Sequence, residues 1–211
     1  MKNVDKLKYH YQKLFFDELP EDTKLGVFIG GGAIREYLSG GEIKDIDVFT
    51  DSKEAEDKVL AFFKDKGKLL NENAMLANYT YKDKWFQVIK GKYYKSGYEL
   101  IDSFDFTICQ AALGVVMDLY PEENRKEFKV EFLSSGDFFQ DALAKHLRIN
   151  KITFPLSTLE RLQKYIQKGY TACNGTLLEV AKSMKDVDFD NKDQNTLVFY
   201  PSGGARFFGV D

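Results

Sequence analysis

The stretch FIGGGAIREYLSGGEIKDIDVF, residues 28–49, constrains the fold more than any other part of the chain. An apolar run meets three glycines, an Arg-Glu pair and a Ser-Gly-Gly break follow, and two aspartates one residue apart open a second apolar run. A short apolar run stopped by glycine is the pattern of a buried strand, so KLGVFIG reads as one. Residues 33–38 read as a short helix that ends at Ser39-Gly40-Gly41. DIDVFT is the next strand, and its alternation sends Asp45 and Asp47 to one face and Ile46 and Val48 to the other.

Two carboxylates at i and i+2 on a strand suit divalent cations. Mg²⁺ takes oxygen ligands, keeps several waters, and needs only one or two carboxylates when substrate phosphates complete its shell. Two such ions can activate an attacking hydroxyl and stabilise a leaving pyrophosphate. The glycines at 30–32, after a strand and before a helix, let backbone N–H groups approach phosphate oxygens, and the helix N-terminus adds partial positive charge. Glycine turns and Asp-x-Asp pairs are each common; together with Arg35 between them they point to phosphoryl-type chemistry.

The rest of the chain surrounds this unit with an α+β pattern. Leu7, Tyr11, Leu14 and Phe15 form the apolar stripe of a helix over residues 3–17. Ser52 caps a helix that runs to about residue 66 and stops at Gly67. ANYTY and WFQVI around Lys82-Asp83-Lys84 predict a β-hairpin, and a Gly/Tyr/Lys loop follows. LGVVMDL and KEFKVEFLS predict a second strand pair, turning between residues 121 and 125. Helices take over after Gly136, which places a boundary near residue 135. Residues 1–135 form a mixed-sheet core with helices on one side, 136–190 a helical extension, and 191–211, with Gly and Pro but no periodicity, a loose tail.

The stretch GGAIREYLSGGEIKDIDVFT resembles the signature of the DNA polymerase β-like nucleotidyltransferase superfamily. The nearest branch is that of CCA-adding enzymes and bacterial poly(A) polymerases. That pattern reads Gly-Gly-x-Val-Arg-Asp, a short loop, then Asp-hydrophobic-Asp. Gly31, Gly32, Arg35, Asp45 and Asp47 fall on the matching positions, with Glu36 where the branch has Asp. Downstream, SFDFTICQAAL keeps Asp105, Phe106, Thr107 and Ile108 in register with a second motif, Arg-Arg-Asp-Phe-Thr-Ile-Asn-Ala. Ser103 and Phe104 replace both of its arginines and Cys109 its asparagine, and the element that selects CTP and ATP in the CCA-adding branch has no counterpart. The resemblance implies a polymerase β-like palm and NMP transfer from an NTP to an acceptor hydroxyl. Asp45, Asp47 and Asp105 hold two Mg²⁺ ions in this reading, with Asp102 the competitor for the third place. Gly31 and Gly32 cradle the triphosphate, Arg35 contacts or orients it, and Lys44 is within reach of a phosphate.

The acceptor is open between an RNA or tRNA 3′ end, a small molecule and a protein side chain. A non-catalytic nucleotide-binding module is the rival class, and retention of both Asp45 and Asp47 argues against it. RNA is favoured by residues 141–170, where six Lys or Arg face Asp141 and Glu160 in a chain of net charge −3. Trp85, Tyr93, Tyr94 and Tyr98 can stack on a base or pack a hairpin. His146 reads as structural and Cys109 as a small buried hydrophobe. Cys109 and Cys173 sit in no metal-ligand spacing, and a disulfide is not expected. Scattered N-terminal charges and the lack of any run of about 18 apolar residues lead to the expectation of a cytoplasmic protein without a membrane anchor.

Overall fold

The computed structural model describes residues 3–120 and 125–187. Helix α1 (Val4–Leu14) is capped by Asn3, whose side chain accepts the Asp5 N–H, and it buries Leu7 and Tyr11. The stripe expected to continue to residue 17 breaks at Phe15, and one 3₁₀ turn, Phe16–Glu18, follows. That break turns Phe15 and Phe16 together into the core. After the short α2 (Glu21–Lys24) come β1 (Val27–Gly30), α3 (Gly32–Ser39) and β2 (Ile46–Thr50), the strand–helix–strand unit read from residues 28–49. Helix α4 (Lys53–Lys66) starts at a Ser52 cap and stops at Gly67, as its sequence predicts.

Next are β3 (Lys68–Glu72), β4 (Leu76–Tyr81) and β5 (Lys84–Tyr93). The β4–β5 hairpin turns on two residues, Lys82 and Asp83, both at positive φ, which suits the right-handed twist of its strands. Then follow α5 (Gly97–Asp102), a 3₁₀ turn at Thr107–Cys109, β6 (Ala111–Tyr120) and β7 (Arg125–Ser134). The chain continues with α6 (Phe138–Ala144), β8 (His146–Leu147), α7 (Pro155–Gln167), β9 (Thr171–Ala172) and α8 (Asn174–Ser183).

Seven strands form one mixed sheet in the order β3-β4-β5-β2-β1-β6-β7. Within this sheet β2 and β5 run parallel, connected through α4, β3 and β4, and the other neighbouring pairs are antiparallel. Val27, Ile29, Ile46, Val48, Phe86 and Val88 point to the face covered by α1, α3 and α4, where they meet Leu7, Ile34 and Phe63. Phe28, Phe49 and Ala112 point to the other face, where the short α5 packs through Leu100 and Ile101. Asp47 shares that second face with Phe49 by strand alternation.

A second core lies outside the sheet. Phe106, Ile108 and Cys109 pack there with Leu147, Leu162, Tyr165, Tyr170 and Val180. Segment 106–110 is therefore shared between the sheet unit and the extension, an arrangement reinforced by the Phe106–Ile149 bridge and the Thr107 N–H bond to the Arg148 carbonyl. Phe138 of α6 is buried in the sheet core against Phe132, so the helix expected to open the extension packs on the sheet. The tail expected over 191–211, the last residues of the expected extension (188–190) and the turn at 121–124 lie outside the described residues.

Candidate active site cleft

Gly31, between β1 and α3, has φ 74° and ψ −131°, a conformation that costs an L-residue about 1–3 kcal/mol. Its N–H donates to the Ala111 carbonyl at 3.0 Å, which fixes the turn against β6. The N–H groups of the first helical turn, from Gly32 onward, have no acceptor within their own helix. A Cβ on Gly32 would meet nothing closer than Arg35 Nη2 at 3.7 Å, so the backbone is open to a ligand here. Gly30 serves packing, since a Cβ there would come within 3.0 Å of the Phe104 ring.

The glycine turn and Asp47 line one cleft of about 450 Å³, floored by the open face of the sheet and roofed by α7. Asp47 is partly buried, and its carboxyl is pushed up to about 7 by desolvation first and by neighbouring Asp45 second, against the pull of Lys164 and Arg161. Asp45 is exposed just before β2. Asp45 precedes the strand and is absent from the cleft lining, so Asp47 is the carboxylate of the pair that faces the cleft. One such carboxylate with Asp45 beside it fits Mg²⁺, which is satisfied by one or two carboxylates plus phosphate and water oxygens. The repulsion that lifts Asp47 is what a bound cation relieves.

Opposite Asp47 the cleft is basic and aromatic. Lys92 comes from the end of β5, where Gly91 at φ 71° breaks the regular register. Glu56, buried on α4, holds this bulge by accepting the Gly91 N–H at 2.7 Å. Lys92 Nζ lies 5.0 Å from the Phe154 ring centre, and desolvation, then Arg161, lower its pKa. No carboxylate pairs with it among the described residues, whereas Lys90 is held by Glu72 and Lys151 by Asp102. Phe49, Tyr94 and Phe104 complete the apolar wall. Sequence reasoning missed Lys92, Phe104 and Phe154. A glycine flanked by lysines after a strand was the available signal, but it read as a loop.

Several residues singled out by sequence stand elsewhere. Asp105 lines the cleft, but its carboxylate is engaged by Arg161 Nη1 at 2.7 Å and Thr158 Oγ1 at 3.3 Å. Among the described residues no three acidic, His or Cys side chains form a metal-holding group, so the structure does not assemble the expected trio of Asp45, Asp47 and Asp105. Asp102 lies outside the cleft lining, paired with Lys151. Lys44 is exposed and does not line the cleft.

Arg35, expected at the triphosphate, is also absent from the lining. It is 2 % exposed and packs beneath the cleft: its guanidinium stacks on Tyr165 (4.9 Å) and Tyr170 (5.6 Å), donates to the Ile108 carbonyl, and pairs with Glu36 at 2.9 Å. Cys109, 3.0 Å from the Tyr165 hydroxyl, belongs to the same buried junction. Of the six basic residues in 141–170, four are paired within the chain: Arg148 with Asp137 and Asp141, Lys151 with Asp102, Arg161 with Asp105, and Lys168 with Glu36.

The mixed sheet with its glycine turn and Asp-bearing strand is a nucleotidyltransferase fold, and solved structures agree. The CCA-adding enzyme of Thermotoga maritima complexed with tRNA superposes with a TM-score of 0.59 at 18% identity, covering 87% of this chain and 45% of that one. A CCA-adding enzyme with CTP gives 0.59 at 17%, over 87% and 46%, and a tRNA-processing enzyme in an apo form 0.54 at 16%, over 87% and 47%. Residues 6–142, more than half of the chain, match the Gabija anti-defense 2 family, and the chain belongs to it. A relative named Gabija anti-defense 2, from Bacillus phage SPbetaL7, is 27% identical over 188 residues, covering 84% of this chain. The chain spans only 42% of that relative's length.

Proposed function

We propose that the chain transfers a nucleoside monophosphate from an NTP to an acceptor hydroxyl and releases pyrophosphate. The observation that carries this reading is the juxtaposition, in one cleft, of the Asp47 carboxylate and the glycine turn with Lys92, a cation that has no carboxylate partner among the described residues. Such a cleft suits a ligand that is a polyanion at one end and accompanied by divalent cations at the other.

Asp45 and Asp47 would hold Mg²⁺, up to two ions, whose chemistry is to neutralise the triphosphate and activate the acceptor hydroxyl. Lys92 neutralises phosphate oxygens, in the place of the arginines lost at Ser103 and Phe104. The first-turn N–H groups of α3 add backbone donors. Phe49, Tyr94 and Phe104 exclude water and offer the base an aromatic surface. The acceptor is read as an RNA 3′ end, in line with the tRNA named for a structural neighbour. The phage relative's name supplies the setting, action against the Gabija defence.

A second reading, nucleotide binding without transfer, is favoured by the tie between Asp105 and Arg161. Incubation with each labelled NTP, Mg²⁺ and a total RNA pool separates the two. Label in RNA, lost with Asp47→Asn, is the expected result. Saturable NTP binding with no label in any acceptor supports the second reading and overturns the first, while label in protein or small molecules moves the acceptor.

A further inference from the structure

We propose that the open face of β5, β4 and β3 is the track on which a single-stranded nucleic acid acceptor lies, its terminal hydroxyl directed to Asp47. This rests on the transferase reading above for the role of the cleft, and adds to it where the acceptor binds and of what class it is.

The strand register puts four polar side chains in one row across the sheet. Asp47 on β2 stands opposite Gln87 on β5, Gln87 opposite Asn78 on β4, and Asn78 opposite Asn71 on β3. The amides are linked: Gln87 Nε2 donates to Asn78 Oδ1 at 2.9 Å, and Asn78 Nδ2 to Asn71 Oδ1 at 2.6 Å. Each amide retains hydrogen-bonding capacity beyond these contacts. Asp47 lines the cleft, so the row begins at the reacting centre and leaves it sideways.

A second row runs beside the first on the same face: Trp85 on β5 opposite Thr80 on β4, and Thr80 opposite Lys68 on β3. Trp85 is 59% exposed and Lys68 is exposed. The helices α1, α3 and α4 occupy the opposite face, and α7 stands over the cleft at the β2 end.

The chemistry of this surface selects its occupant. Beyond Asp47 the two rows hold amides, a hydroxyl, an indole and one lysine, with no carboxylate, so they accept a polyanion. Amides bond base edges, an exposed indole stacks on a base face, and the lysine meets a phosphate. Both base faces and base edges must be presented, which a duplex cannot do here and a single strand can. Four strands at about 4.8 Å spacing give roughly 14 Å of track, room for a few unstacked nucleotides. The basic helices at 141–170 are a poorer platform, because four of their six cations already face carboxylates of this chain.

Trp85 is the single tryptophan of the chain, so its emission reports directly on the track. Titration with an oligoribonucleotide of about ten residues, without NTP, is expected to change that emission saturably, while the matching duplex leaves it unchanged. Measured by anisotropy of a labelled oligonucleotide, Trp85→Ala should weaken binding roughly tenfold and the pair Asn78→Ala with Gln87→Ala severalfold, whereas Lys92→Ala should weaken NTP binding alone. RNA that is labelled by the protein but neither perturbs Trp85 nor responds to these substitutions overturns the track and leaves the transferase reading standing. A Trp85 response to RNA in a protein that binds no NTP does the reverse. No binding of single strands at all overturns the track.

Discussion

Asp47 carries a charge where neither its burial nor its neighbour favours one, and that conflict makes its replacement informative in two ways. A carboxyl with a folded-state value of about 7, against about 4 in the unfolded chain, holds its proton more tightly when folded. Ionising it therefore costs stability as pH rises from about 4 to about 7, and the cost is complete above that window. Asp47→Asn removes the cost. With chelator present, the variant is expected to be more stable than the parent by about 1–3 kcal/mol at pH 8, the coupling to exposed Asp45 being weakened by solvent, and equal to it at pH 4. Thermal melts at the two pH values check this. A variant that melts lower at pH 8 would mean that Asp47 is stabilised by partners in the folded chain. On the proposed role of Asp47 as a metal ligand, nucleotidyl transfer should be lost in the same variant while the fold, in which no core cavity opens, is kept.

At the scale of elements, α3 and α7 are joined through Arg35. The motif match has Arg35 contact or orient the triphosphate; the helix turns it onto Tyr165 and Tyr170, where it closes the contact between sheet unit and extension. Arg35→Ala should cost about 3 kcal/mol, lowering the melting temperature by about 6–12 °C in a chain of this size, with NTP affinity nearly unchanged. A tenfold loss of NTP affinity at an unchanged melt would instead put the guanidinium at the ligand. Elements whose signal is local were legible: the strand–glycine–helix–strand unit, the Ser52-capped α4, and the β4–β5 and β6–β7 pairs. β3 was not, because all five of its residues are exposed and it shows no apolar alternation. Lys92 was not, because its placement depends on Glu56 gripping Gly91 from 35 residues away. Gly31, Gly32 and Asp47 could be read together because they are near neighbours in the chain; the cations that line the same cleft come from β5 and α7, which only the tertiary fold brings near.

For the whole molecule, core packing crosses the boundary expected at residue 135. Phe138 of α6 fills the sheet core from beyond the boundary, and Phe106, Ile108 and Cys109 fill the extension's core from before it. Buried Asp141 ties the two directions together, accepting the Thr107 hydroxyl at 2.6 Å and pairing with Arg148 Nε at 3.2 Å. Removing everything after Ser135 would expose three buried side chains of segment 106–110, empty the Phe138 site, and leave Arg35 without Tyr165 or Tyr170. Losing Phe138 alone is comparable to a large-to-small core substitution of about 3–5 kcal/mol, a large share of the 5–15 kcal/mol that holds a typical domain. The 1–135 fragment is therefore expected to bind a hydrophobic dye and melt without a cooperative transition, whereas the full chain unfolds in one step followed alike by far-UV circular dichroism and Trp85 emission. Cooperative unfolding of the 1–135 fragment near the full-length midpoint would show that the sheet unit stands alone and that the shared segment is a contact between independent domains.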